Sequence, residues 1–125
     1  MAGRLTISTL NDDTGVLATQ NGMSGIAKAW VNFNGFPTVS IRASMNVGSL
    51  TYNGTGDYTL NFTTAMPDAN YSVIGSSRNS TTRMTIFCPS TLTSSPLTTT
   101  SARVRTAQDD GTVNDSDIVC VAVFR

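Results

Sequence analysis

A chain of 125 residues is one ordinary domain of 13.2 kDa, and folded alone it would bury under roughly three quarters of its unfolded surface, so an oligomeric interface would help it. Eight basic residues balance eight acidic ones at a pI near 6.0, which removes the electrostatic footprint of a DNA- or RNA-binding protein. No apolar run reaches the length of a membrane span, and the opening residues lack the apolar core of a signal peptide, so synthesis and assembly in a cytoplasm are expected.

The polar surface is built from Thr, Ser and Asn, which make up about a third of the chain against less than a fifth in ordinary composition. Glutamate is absent and Lys28 is the single lysine, so the best helix formers and their i,i+4 ion pairs are missing. Threonine, stiff at χ1, favours extended backbone. An all-β fold is predicted.

In chain order, Leu5, Ile7 and Leu10 lie in a short strand-like segment, followed by the turn Asn11-Asp12-Asp13-Thr14-Gly15. Gly15, Gly22 and Gly25, with little core material, mark residues 1–25 as an extended N-terminal arm. The body opens at Ile26. In Ala27–Phe33, period-two alternation puts Ala27, Ala29, Val31 and Phe33 on one face and Lys28, Trp30 and Asn32 on the other. Val39, Ile41, Ala43 and Met45 share a face of the next strand. Strands at 49–52 and 57–62 flank Asn53-Gly54-Thr55-Gly56, where Asn-Gly is a strong hairpin signal. A turn at 65–70 leads into a strand at 71–74, and another strand runs from Arg83 to Cys88. A Ser/Thr-rich loop spans 90–100. Strands at 102–106 and 117–124 are expected to pair across residues 108–116.

About eight short strands at this spacing predict a sandwich or small barrel. An antiparallel, jelly-roll-like β-sandwich knob is expected over 26–125. The last strand, Ile118–Phe124, is apolar on both faces, and so small a chain has little material for a third layer. One face is therefore expected to meet a partner subunit, with Val119, Val121 and Val123 as interface residues. Trp30 alternates with Lys28 and Asn32 on the more polar face of its strand. Core residue, subunit interface and sugar-stacking platform are all open to it from the residues alone, and it is placed with the interface set.

The catalytic inventory is poor. Histidine is absent, which removes the usual general base, the Ser-His triad and the commonest zinc ligand. No glutamate can pair with an aspartate in glycoside hydrolysis, although two aspartates could serve, and no glycine-rich phosphate loop precedes a helix. No catalytic residue, metal ligand or cofactor is expected. Asp109, Asp110, Asn114, Asp115 and Asp117 form an oxygen-rich cluster, but its spacing misses the helix–loop–helix calcium pattern and an ordinary turn accounts for it. Arg103 and Arg105 share a strand face and are expected as solvated edge charges. Cys88 and Cys120, each in an alternating apolar run, are expected as buried free thiols.

Four segments together are similar to a known module. Gly25-Ile-Ala-Lys-Ala-Trp-Val-Asn-Phe-Asn34, Ile41-Arg-Ala-Ser-Met-Asn-Val47, Asn53-Gly-Thr-Gly-Asp-Tyr-Thr-Leu-Asn-Phe62 and Met66-Pro-Asp-Ala-Asn-Tyr-Ser-Val73 resemble, in order and spacing, the knob module of fibre and appendage proteins of tailed bacteriophages, frequent in marine and aquatic phages. The likeness covers roughly residues 25–75. It implies a non-enzymatic homotrimeric knob on the virion, assembled in the host cytoplasm, that partners other virion proteins of tail or capsid. The arm, through Leu5, Ile7 and Leu10, is the expected attachment segment. Three renderings follow: a short fibre or tail-tip knob touching host surface glycans, a capsid decoration protein that cements the head, or, from a different class, a soluble carbohydrate-binding module. Receptor-binding residues are not specified by the sequence.

Overall fold

A computed structural model describes residues 26–80, 85–89 and 96–125, with backbone only for 85–89. Among these residues eight strands follow one another: β1 (Ala27–Asn34), β2 (Ser40–Met45), β3 (Val47–Gly54), β4 (Asp57–Phe62), β5 (Ser72–Arg78), β6 (Thr85–Pro89), β7 (Ser101–Gln108) and β8 (Ile118–Phe124). All pairings are antiparallel, in the order β2-β1-β8-β5-β6-β7-β4-β3. That ribbon of strands folds over into a sandwich. β2-β1-β8-β5 forms one layer, β6-β7-β4-β3 the other, and a single register pair, Ser77 with Thr85, links β5 to β6.

The two late strands each insert between earlier ones, β8 between β1 and β5 and β7 between β4 and β6, in the manner of a jelly roll. The expected pairing of 102–106 with 117–124 therefore does not occur. These strands lie in different layers, and the segment between them crosses the end of the sandwich. Strand propensity is shared by both and carries no information about which neighbour each will choose.

The crossing from β2 to β3 is tighter: it runs through Asn46 alone, whose φ of 57° turns the chain through a corner. Asparagine tolerates this left-handed region better than most side chains. Its side chain also ties the corner down, donating to the carbonyls of Lys28 (3.1 Å) and Thr64 (3.0 Å) and accepting from the Thr64 N–H (2.7 Å).

The core between the layers is one cluster. Ala29, Val31 and Phe33 of β1 and Val119, Val121 and Val123 of β8 meet Tyr58 and Leu60 of β4 and Ala102 and Val104 of β7. Phe33 and Tyr58 touch edge to face at 5.1 Å, an arrangement worth about 0.5–1.5 kcal/mol beyond area burial. Tyr71 closes one end, its hydroxyl 2.9 and 2.8 Å from the carbonyls of Thr98 and Ser101.

Bulges in the pairings of β1 shift the simple alternation. Asn32 pairs with Ala43 but Phe33 pairs with Ile41, so Arg42 is an extra residue in β2. Ile41 consequently turns inward against the core while Ala43 and Met45 turn outward, and the four residues expected on one face are split between two. Arg42 also stabilises the bulge, since its guanidinium donates to the carbonyls of Phe33 (3.1 Å) and Asp117 (2.7 Å). The second bulge places Lys28 between Ala27 and Ala29, and Lys28 is buried rather than exposed beside Trp30.

The Asn53-Gly54 hairpin is real but its turn sits two residues later. Gly54 pairs directly with Asp57, leaving Thr55-Gly56 as the loop. Gly56 has φ 63°, and a Cβ there would lie 2.5 Å from the Thr106 carbonyl, so glycine is required twice over.

Candidate interaction surface

The two outward faces of the sandwich differ in chemistry. On the β3-β4-β7 side, Ser49, Asn61 and Ser101 stand in one cross-strand row and Thr51, Thr59 and Arg103 in the next. These side chains bond one another. Asn61 Nδ2 donates to Ser49 Oγ and Thr51 Oγ1, both at 3.1 Å, and Asn53 Nδ2 donates to Thr59 Oγ1 at 2.9 Å. Arg103 grips Asp57 with two parallel bonds of 2.8 and 2.9 Å, Asp57 being buried and Arg103 partly exposed. Arg103 is thus an internal clamp between strands rather than a solvated edge charge.

On the β2-β1-β8-β5 side the central row is apolar. Met45, Trp30, Ala122 and Ile74 are register partners across all four strands, and Ala43, Asn32, Cys120 and Ser76 make the row beside them. Trp30 is 37% exposed and Ile74 56% exposed. Between them, over the small Ala122 side chain, runs a shallow groove of about 540 Å³ that Asn32, Ser76 and Cys120 also line. An antiparallel layer facing water ordinarily carries polar residues outward. Here the central row carries none, and the polar Asn32 and Ser76 stand in the row beside it.

The structure corrects the choice of face on β8. Val119, Val121 and Val123 are 0, 3 and 0% exposed and point into the chain's own core. They are not available to a partner. The half-exposed outward set is Ile118, Cys120, Ala122 and Phe124. Both sets are apolar, so the sequence could not say which faced inward. Only the register with Ala29 and Val31 on one side of β8 and with Val73 on the other decides it. Trp30, by contrast, lies outward beside Ala122. Cys120 is a free thiol on that same surface, partly exposed rather than buried. Leu5, Ile7 and Leu10 lie outside the described residues.

The acidic segment at 109–117 is organised as a structural latch. Asp115 accepts hydrogen bonds from the Tyr58 hydroxyl (2.6 Å), the Gly56 N–H (2.7 Å) and the Tyr52 hydroxyl (3.1 Å). Burial, and then the bond to Asp115, push the Tyr58 phenol well above its ordinary pKa, so the hydroxyl stays a donor. Asp110 caps a local turn by accepting from the Thr112 N–H at 2.9 Å, which holds its carboxyl below the usual range. Asp117 keeps one carboxylate oxygen buried without a hydrogen bond among the described residues, beside a cavity of about 150 Å³. One such oxygen is far from the six to eight that calcium takes. No group of three or more His, Cys, Asp or Glu is placed to hold a metal among the described residues.

No family model, curated protein or solved structure matches the chain, and the functional reading therefore rests on the resemblance over residues 25–75 and on the chemistry of these two faces.

Proposed function

We propose that this protein is a non-enzymatic structural component of a bacteriophage particle: a homotrimeric β-sandwich knob on the virion surface, held to the particle by its N-terminal arm. The observation that carries the reading is the inequality of the two outward faces. A freely dissolved module would have both faces wetted, whereas here one is a bonded ladder of Ser, Thr and Asn and the other is a four-strand apolar row. A component that works in an assembly needs one face of each kind, one for neighbours and one for solvent. The resemblance to fibre and appendage knobs supplies the kind of assembly. Tail tip and capsid surface are two places for the same object, the first bringing the knob to host glycans and the second stabilising the shell.

Electron cryomicroscopy of the particle whose genome encodes the chain tests this. Density for the sandwich at threefold positions on the tail or head is the expected result. A particle lacking the protein, together with a monomer in solution that binds oligosaccharides, would instead support the carbohydrate-binding module, for which the exposed Trp30 ring is the favouring observation.

A further inference from the structure

Resting on that oligomeric reading, we infer that the apolar row Met45–Trp30–Ala122–Ile74, with Cys120 beside it, is the surface on which a second copy of this chain docks.

Charge is the first argument. Neither that row nor the adjoining Ala43, Asn32, Cys120 and Ser76 row contains a charged residue. Two copies of a charged surface repel when juxtaposed, and such repulsion costs several kcal/mol. The centre of this surface can therefore lie against another copy without that penalty, while the charges nearest it, Arg42 beside Asn32 and Arg78 opposite Ile118, stand at its margin.

Extent is the second. Four strands about 4.8 Å apart and seven residues at about 3.4 Å each make a face of roughly 450 Å² in projection. A standard interface takes about 800 Å² from each partner, with a more apolar core and a polar rim. The uncharged rows at its centre are the part suited to that core, and Arg42, Arg78 and the flanking loops would supply the rim. Its composition also matches the permanent, self-associating class of interface, which is more apolar than transient ones.

A sugar ligand fits less well. Glycan sites set convergent donors and acceptors around the aromatic ring. The register neighbours of Trp30 are Met45 and Ala122, which offer a hydroxyl nothing, and the groove's polar side chains, Asn32 and Ser76, stand together in the next row rather than around the ring. Ala122 forms a low floor between Trp30 and Ile74, so a large apolar side chain of the neighbouring copy in a closed ring of three could enter there.

Light scattering after size exclusion, with Ile74→Lys, Ala122→Arg and, on the opposite face, Thr51→Lys, is the test. The wild type and Thr51→Lys should elute at about three times the chain mass. Ile74→Lys and Ala122→Arg should elute as monomers with an unchanged circular dichroism spectrum. Iodoacetamide labelling, located by peptide mass spectrometry, should reach Cys120 at least tenfold faster in those monomers than in the oligomer. A folded Ile74→Lys or Ala122→Arg protein that stays trimeric overturns the assignment of this face but leaves the trimer standing. A wild type that is monomeric at micromolar concentration overturns the trimer itself. Should either variant fail to fold, labelling of the wild type decides alone: Cys120 that reacts at the rate of a free thiol within the intact oligomer refutes the docking surface.

Discussion

Asp115 is the side chain whose removal should expose the logic of the 109–117 segment most clearly. Its carboxylate takes three hydrogen bonds, two of them short: 2.6 Å from the Tyr58 hydroxyl and 2.7 Å from the Gly56 N–H. Bonds to a charged acceptor contribute about 1.5–3 kcal/mol each, and a buried donor left unpaired costs about 1–3 kcal/mol. Tyr58 is fully buried, and in the absence of Asp115 its hydroxyl proton is left with the Gly35 carbonyl at 3.5 Å. The third donor, Tyr52, is exposed and adds little. Asp115→Ala should therefore lose about 3–5 kcal/mol, and Asp115→Asn, which keeps an acceptor, about half of that. At roughly 4 °C per kcal/mol for a domain of this size, Tm should fall by about 12–20 °C in the alanine variant. Urea denaturation at fixed protein concentration measures the free energy directly. Adding Tyr58→Phe removes the stranded donor, so the double variant should be more stable than the sum of the single changes by at least about 1 kcal/mol. An alanine variant within about 1 kcal/mol of wild type, or strict additivity with Tyr58→Phe, would refute the latch.

The same latch predicts that EDTA leaves Tm unchanged, since Asp115 is already satisfied by donors of the chain; a calcium-dependent rise of several degrees would revive Asp109, Asp115 and Asp117 as ligands. Burial pushes the Tyr71 phenol from 10.0 up to about 12, and Tyr58 moves in the same direction. A raised pKa means the folded state holds the proton more tightly, so stability is intact below pH 10 and is lost as pH rises from 10 towards 12; thermal melts across that range should fall, and less steeply in Tyr71→Phe. Val121→Asp should abolish folding rather than merely dissociate subunits, because it puts an unpaired charge at a core position only 3% exposed; a soluble, folded monomer would show that β8 faces the other way. Deleting residues 2–22 should leave a folded oligomer that no longer incorporates into virions, checked by circular dichroism and by particle composition; an unfolded product would place part of that segment in the sandwich.

What the sequence determined by itself was the class of the fold and most of its strands. The absence of Glu, the single Lys28 and the excess of Thr deny the chain its helices, and period-two alternation marks β1, β4 and β7 closely. Alternation is a local property, and it fails wherever a neighbouring strand imposes an extra residue. Arg42 and Lys28 are such residues. Nothing in the sequence near them announces a bulge, because the bulge exists only in the register between two strands. The partner face was illegible for a related reason. Ile118–Phe124 is apolar at every position, so both faces satisfy the same local rule, and only contact with β1 and β5 turned Val119, Val121 and Val123 inward and left Cys120 and Ala122 beside Trp30. The Asp115 latch is likewise tertiary. A carboxylate in a loop of aspartates looks like any turn residue until two tyrosines and a glycine N–H, brought from β3, β4 and the hairpin turn between them, converge on its oxygens.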